Sequence, residues 1–413
     1  MDGTRYQCPV GADSPDDDAP DTDDNGLYRL WDRRPSAEST GVWREGDHLV
    51  VARPDLVKQV LLDNERFGVG NALDAVTPLT SATLRRLAAH SIRLPPTLAN
   101  NGGPSHPGVR AIVAEAMTPD RVARLRPWLT GLVRRRVAAL MPRLRNGETV
   151  DLHESLCADI PLAALGRLME LPDDEVTAVK RFSRAALELF WSPTEPARQI
   201  WLADTIGGHH DRLRRFARTA GGMIGELRRQ CREHRLGDDP VIAALFFLLV
   251  AGQETTSQFL TLLLHRLTRE PSVLAALNTD GITAEAVVEE GLRRDPPIVS
   301  WRRIATEDTI VAGIPVAAGQ SVLLWLAAAG RDVAEFPDRF VPGQRGSRRH
   351  LAFGMGAHRC VGAQLARMEA AVVITEAAPL LRGCEVSRSP GYVDNLSFRM
   401  PDGLTVHRRG ASG

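Results

Sequence analysis

Apolar residues recur at helical spacing through most of the chain between residues 107 and 267. The spacing predicts helices over 107–117, 119–144, 156–169 and 173–190, and one long helical stretch over 209–234. The segment 239–267 differs from these. Its middle, VIAALFFLLVAG at 241–252, is apolar on every side, while both ends are polar. A helix apolar all round is a buried one, and this run is shorter than the ~18–20 residues that cross a bilayer. Upstream, residues 42–44 and 49–52 flank the turn Glu45-Gly46-Asp47, a hairpin-like start ahead of a helix. Residues 70–105 read as irregular, broken by Pro78, Pro95, Pro96 and Pro104 and by Asn100-Asn101-Gly102-Gly103. A helix over 283–294 stops at Asp295-Pro296-Pro297. Short β-like pieces follow over 298–324, with turns at Gly313 and Gly319. A long loop then spans 330–358, and an amphipathic helix covers 361–380. The pattern predicts a mainly α fold with a small β part.

Length changes this picture little. At about 150 residues per domain, 413 residues suggest two to three domains, yet no repeat or Gly/Ser linker divides the chain. One domain over 26–413 is expected, behind an acidic flexible tail over 1–25 that holds eight Asp and one Arg. Lys+Arg and Asp+Glu both total 51, which argues against a protein that coats nucleic acid. The N-terminus lacks the basic-then-apolar layout of a signal peptide. Five cysteines, odd in number and without a CxxC pair, argue against a disulfide framework or a structural zinc. No membrane association and a cytoplasmic location are the expectations.

One cysteine stands apart. Cys360 sits in FGMGAHRCVG (353–362), just ahead of a helix reading VGAQLARMEAAVVITEAAPLL. A sulfur there faces unpaired N–H groups and the positive end of the helix dipole, which favour a thiolate. Gly354, Gly356 and Gly362 remove side chains where something flat approaches the backbone, and Phe353 places an apolar lid over the sulfur. The arrangement suits a thiolate ligand of haem iron. Two plainer readings compete: a phosphate loop, for which the strand and the spacing are missing, and a buried structural thiol.

The segment matches the haem-binding signature FxxGxxxCxG of the cytochrome P-450 superfamily position by position, and the continuation AQLARMEA resembles the soluble bacterial members. Further landmarks follow in order. Ala251-Gly252-Gln253-Glu254-Thr255-Thr256 resembles the family's oxygen-binding groove. By that resemblance Gly252 opens room for dioxygen, Thr255 takes part in hydrogen bonding at the site, and Glu254 connects it to bulk protons, since reducing O2 to water consumes protons. Glu290 and Arg293 match the ExxR pair, one face of one helix, with Arg339 as third member of the network. His106 and Arg110, one helical turn apart, together with Arg303 and His358, match the residues that neutralise the two haem propionates; Arg302 is the adjacent alternative to Arg303. Chain departures are a Pro directly after His106, a short 330–350 loop, and Arg359 beside the cysteine.

The resemblance spans about residues 27–408. It implies a single-domain fold with haem between the long central helix and the helix after Cys360. The implied cofactor is heme b (iron protoporphyrin IX). Cys360 is the iron ligand, with Ala251, Gly252, Phe353 and the cations lining the haem, and Thr255 and Glu254 managing protons. The implied reaction inserts one atom of O2 into a small hydrophobic or amphipathic molecule, by hydroxylation or epoxidation, in secondary-metabolite tailoring. Electrons are expected from a ferredoxin and its NAD(P)H-dependent reductase, and a monomer is expected. Substrate contacts are expected from 73–98, from 185–201 with Phe190 and Trp191, from 298–301 and from 395–398. Oxidative coupling, nitration, peroxide-driven oxidation and a non-catalytic haem sensor share most of these motifs. His209-His210-Asp211 reads as surface, without a third metal ligand, and Arg134–Arg136 as a solvated patch.

Overall fold

The computed structural model describes residues 26–34, 41–92, 96–171, 176–235, 237–278 and 281–410. The expected acidic tail, residues 1–25, lies outside them. Thirteen helices are present among the described residues. The first seven are Pro54–Leu62 (α1), Ser81–Ala89 (α2), His106–Ala116 (α3), Pro119–Arg145 (α4), Ile160–Met169 (α5), Val176–Trp191 (α6) and Pro196–Thr219 (α7). Gly222–Glu233 (α8), Asp239–Arg269 (α9), Pro271–Ala276 (α10), Ala284–Arg294 (α11), Leu326–Gly330 (α12) and Ala363–Arg382 (α13) complete them. Strands Val42–Glu45 (β1), His48–Val51 (β2), Phe67–Gly68 (β3), Trp301–Ala305 (β5) and Ser321–Leu324 (β8) form a sheet in the order β1-β2-β8-β5-β3. Val150–Asp151 (β4), Cys384–Arg388 (β9) and Thr405–Arg408 (β10) form a second sheet, and Thr309–Val311 (β6) pairs with Ile314–Val316 (β7). The architecture is mainly α with a minor β part, as the periodicity predicts.

The all-round apolar segment is the centre of the core. α9 starts with Asp239 and Pro240 in its first turn and ends with Arg266 and Arg269 in its last, signs that suit the helix dipole. Its 31 residues give a rod about 46 Å long at 1.5 Å per residue. The helix is long and apolar enough to cross a membrane, but 72% of its most apolar window is buried inside the protein. α5, α6, α7, α11 and α13 pack around it.

Three expectations are corrected. The stretch over 209–234 is two helices: α7 starts earlier, at Pro196, and the chain breaks at Gly221-Gly222, where Gly222 adopts the left-handed φ of 51°. The region 70–105 contains α2, which Thr80 starts by accepting the Thr83 N–H at 3.1 Å. His209 and His210 are not at the surface. They are 4% and 3% exposed, because α7 is covered by α6 and α9 as well as by α2. No cluster able to hold a metal forms among the described residues. In the Arg134–Arg136 patch, Arg134 pairs with Glu376 at 2.8 Å and half-buried Arg136 pairs with Asp159 at 2.8 Å.

Candidate active site around Cys360

Cys360 ends a loop that doubles back on itself. Its N–H donates to the Phe353 carbonyl at 2.8 Å, and the turn needs Gly354 and Gly356 at φ of 62° and 74°. A Cβ on Gly356 would lie 3.0 Å from the Leu61 carbonyl oxygen, so the loop is seated against α1. Phe353 is fixed by the Arg367 guanidinium, 4.4 Å over its ring, and Arg367 is held by Glu289 of α11 at 2.5 Å. The loop is thus tied to both helices that flank it. Cys360 keeps an accessible surface while protein atoms surround its sulfur. Burial pushes its thiol pKa up, and the Gly362 backbone N–H with Arg110, Arg367 and Arg359 pulls the other way.

Two arginines and two histidines gather beside this loop. The rings of His106 and His358 lie 4.2 Å apart, centroid to centroid, and His358 Nδ1–H donates to the Leu98 carbonyl at 3.3 Å. Arg110 donates to the Arg359 carbonyl at 2.6 Å. Burial, then the charges of His106, Arg303 and Arg110, push His358 down to about 4. The charge of Arg303 therefore reaches this group. Arg302, its neighbour on β5, points to the opposite face of the sheet, as alternation requires. It donates to the Asp74 carbonyl at 2.5 Å and the Ala72 carbonyl at 3.4 Å. The sequence leaves the two arginines ambiguous; the strand register separates them. Burial also pushes Arg303 down to about 10.

A haem brings two carboxylates and needs an axial ligand, and the donor set here fits one. Among the described residues none of His106, Arg110, Arg303 and His358 is ion-paired with an acid. His106 Nε2 and Arg303 Nε are buried without any hydrogen-bond partner. Arg303 is a buried cation without a counter-charge, which is costly, and a dianion at this place removes the cost.

On α9, Ala251, Gly252 and Thr255 are half-buried, whereas Val250, Gln253, Glu254 and Thr256 are buried. The first three share one helix face. Thr255 Oγ1 donates to the Ala251 carbonyl at 2.6 Å, one turn back. Gly252 does not open space as expected: a Cβ there would lie 2.7 Å from Leu165 Cδ1, so the glycine admits α5 against α9. Glu254 does not reach bulk solvent. It is 4% exposed, bonded to Ser183 Oγ at 3.0 Å and to Gln258 Nε2 at 3.2 Å. Glu369 on α13 is buried too, with Oε1 unpartnered, and burial pushes its carboxyl well up. Ser183, Gln253, Gln258 and Glu369 are polar groups of this region that no sequence signal marks.

The Glu290–Arg293 pair is fully buried, at 2.7 Å. Arg339 joins it through its backbone carbonyl, which accepts from Arg293 at 3.1 Å, while its own side chain is exposed. The expected third member is therefore a main-chain group. Three of the four segments expected to touch substrate, 185–201, 298–301 and 395–398, converge as an aromatic cluster. Trp191 lies 5.0 Å from Phe398 and 6.1 Å from Trp301, and Phe190 packs on Trp191 at 5.9 Å.

The family pattern described as Cytochrome P-450 matches residues 283–411. The chain is 32% identical over 355 residues to the cytochrome P-450 monooxygenase PikC of Streptomyces venezuelae, covering 84% of this chain and 81% of that protein. It is 30% identical over 313 residues to the cyclomarin C epoxidase CymV of Salinispora arenicola, covering 73% and 78%. Among solved structures, cytochrome P-450 CREJ in complex with (4-ethylphenyl) dihydrogen phosphate superposes with a TM-score of 0.85. That match has 27% identity and covers 90% of this chain and 95% of the other. With the thiol loop, the cation cluster and the central helix in the arrangement described, the chain belongs to the cytochrome P-450 superfamily and is a haem monooxygenase.

Proposed function

We propose that the chain is a heme b monooxygenase that hydroxylates or epoxidises a small hydrophobic or amphipathic secondary metabolite. The relatives' named activities, such as epoxidation of cyclomarin C, support that class of substrate. The observation that carries the reading is the cluster of Arg110, Arg303, His106 and His358, none ion-paired with an acid among the described residues, beside the Cys360 thiol. Bound haem supplies the activation of dioxygen. The rest is the work of the chain. Cys360 would supply the sulfur ligand, and Arg110, Arg303, His106 and His358 would hold the two haem carboxylates. Thr255, on the face of α9 that Ala251 shares, and Glu254, buried beside it in the chain, deliver protons. The Trp191, Trp301 and Phe398 rings supply apolar substrate contact. Electrons come from a ferredoxin and its NAD(P)H-dependent reductase, in the cytoplasm, and residues 26–413 act as one catalytic domain behind an acidic tail.

Thr255→Ala tests the proton-delivery part. The Thr255 hydroxyl spends its proton on Ala251 in the resting helix, so its removal leaves the fold and the haem in place. With surrogate redox partners, NAD(P)H oxidation is expected to persist while product per NAD(P)H falls about tenfold or more and hydrogen peroxide rises. Unchanged coupling would remove Thr255 from the proposal.

A further inference from the structure

We propose that Ser183, on α6, is the positioning residue that keeps Glu254 of α9 as a neutral acid donating its own proton. Ser183 Oγ lies 2.7 Å from Gln253 Oε1, 3.0 Å from Glu254 Oε1 and 3.2 Å from the Lys180 carbonyl. The Gln253 amide has its orientation set, because Nε2 donates to the Ala158 carbonyl at 3.2 Å. Its Oε1 is therefore an acceptor. Three acceptors surround a hydroxyl that owns one proton and two lone pairs.

With Glu254 ionised, the one Ser183 proton serves either Gln253 or Glu254, and the other contact sets lone pair against lone pair. With a proton on Glu254 Oε1, the same geometry becomes a chain. Glu254 donates to Ser183, and Ser183 donates to Gln253. On the other oxygen, Gln258 Nε2 approaches Glu254 Oε2 at 3.2 Å. All four residues are 4% exposed or less, so water does not complete the set for an ionised carboxylate.

The charged groups facing Glu254 are Arg184 and Lys180 of α6. Lys180 is ion-paired with Asp159, and no cation lies within ion-pair distance of Glu254 among the described residues. Burial pushes the Glu254 carboxyl up, ahead of the opposing pull of the Arg184 charge. An acid already carrying its proton, one residue from Thr255, is a loaded donor at neutral pH. The donor depends on a side chain 71 positions away on another helix.

This inference rests on the reading of Glu254 as part of proton delivery, but its test does not pass through turnover. Infrared difference spectra of the full-length, haem-loaded protein at pH 7 compare wild type with Glu254→Gln. A carbonyl band of a protonated carboxylic acid is expected in wild type and lost in the variant; the buried acid of Glu369 is common to both and cancels. Ser183→Ala is expected to move the midpoint at which that band disappears down by about one pH unit or more. Ser183→Thr, which keeps the hydroxyl, restores it. Identical acid-carbonyl spectra of wild type and Glu254→Gln would overturn the proposal, as would a Ser183→Ala midpoint equal to wild type. If Ser183→Ala does not fold, the Glu254→Gln comparison decides alone. Failure of the broader reading shows elsewhere, as unchanged coupling in Thr255→Ala.

Discussion

Glu290→Ala is expected to yield protein that retains little haem and unfolds at a much lower urea concentration than wild type. Glu290 and Arg293 are both 0% exposed. Glu290 accepts Arg293 Nε at 2.8 Å and Nη2 at 2.7 Å, and it also takes the Val341 N–H and Gln344 Nε2, each at 2.8 Å. The remaining Arg293 nitrogen donates to the Gly330 carbonyl at 2.6 Å. One carboxylate thus fixes α11 to the chain that leads into the Cys360 loop. Its removal leaves a buried guanidinium without its counter-charge, and the Val341 N–H and the Gln344 amide without this acceptor. Breaking such a pair costs roughly 3–5 kcal/mol, against a total stability of about 5–15 kcal/mol. A urea midpoint and haem content equal to wild type would show that the network does not brace the loop.

His209→Leu is expected to stabilise the protein, and more so in acid. The His209 ring is stacked on Phe182 at 4.4 Å, and neither ring nitrogen has a hydrogen-bond partner. Burial, then the charges of Arg212 and His210, push it down to about 4. The unfolded chain has the ordinary value near 6.5, so between pH 6.5 and pH 4 it binds a proton that the folded state refuses. The stability held above pH 6.5 is therefore lost as pH falls toward 4, by about 3 kcal/mol from this one residue. Leucine removes that loss, and it removes a buried unsatisfied group worth about 1–3 kcal/mol at any pH. Urea unfolding of both proteins at pH 7 and pH 4.5 checks this. The stability difference should widen at pH 4.5, and a pH-independent difference would mean that His209 does not titrate as its surroundings demand.

What the sequence made legible is what the chain encodes locally. The all-round apolar run, the Asp295-Pro296-Pro297 stop and the glycines around Cys360 each act within a few residues, and α9, α11 and the loop stand where the pattern puts them. The hairpin β1–β2 and the strands after residue 298 follow for the same reason. The misses are non-local. The helical periodicity runs straight through Gly221-Gly222, where a left-handed glycine separates α7 from α8. β9 and β10 pair across a long loop, and β10 also pairs with β4, far back in the chain. His209 and His210 read as surface because their burial comes from α6, α9 and α2 closing over both sides of α7. Arg339 contributes a carbonyl, which side-chain identity does not reveal. Gly252 matches its motif, yet its missing side chain accommodates Leu165. Ser183 lies in an ordinary helical pattern, and only packing of α6 on α9 gives it a carboxyl to hold.

In the proposed reading Cys360, framed by a loop pinned at Glu289 and Glu290 and flanked by Arg110, Arg303, His106 and His358, offers a thiolate to haem iron. The most direct test is the carbon monoxide difference spectrum of the dithionite-reduced protein, recorded beside Cys360→Ala. The account predicts the long-wavelength Soret band of thiolate-ligated haem in wild type and its loss in the variant. A wild-type band at the shorter, histidine-type position, or the long-wavelength band surviving in Cys360→Ala, would contradict it.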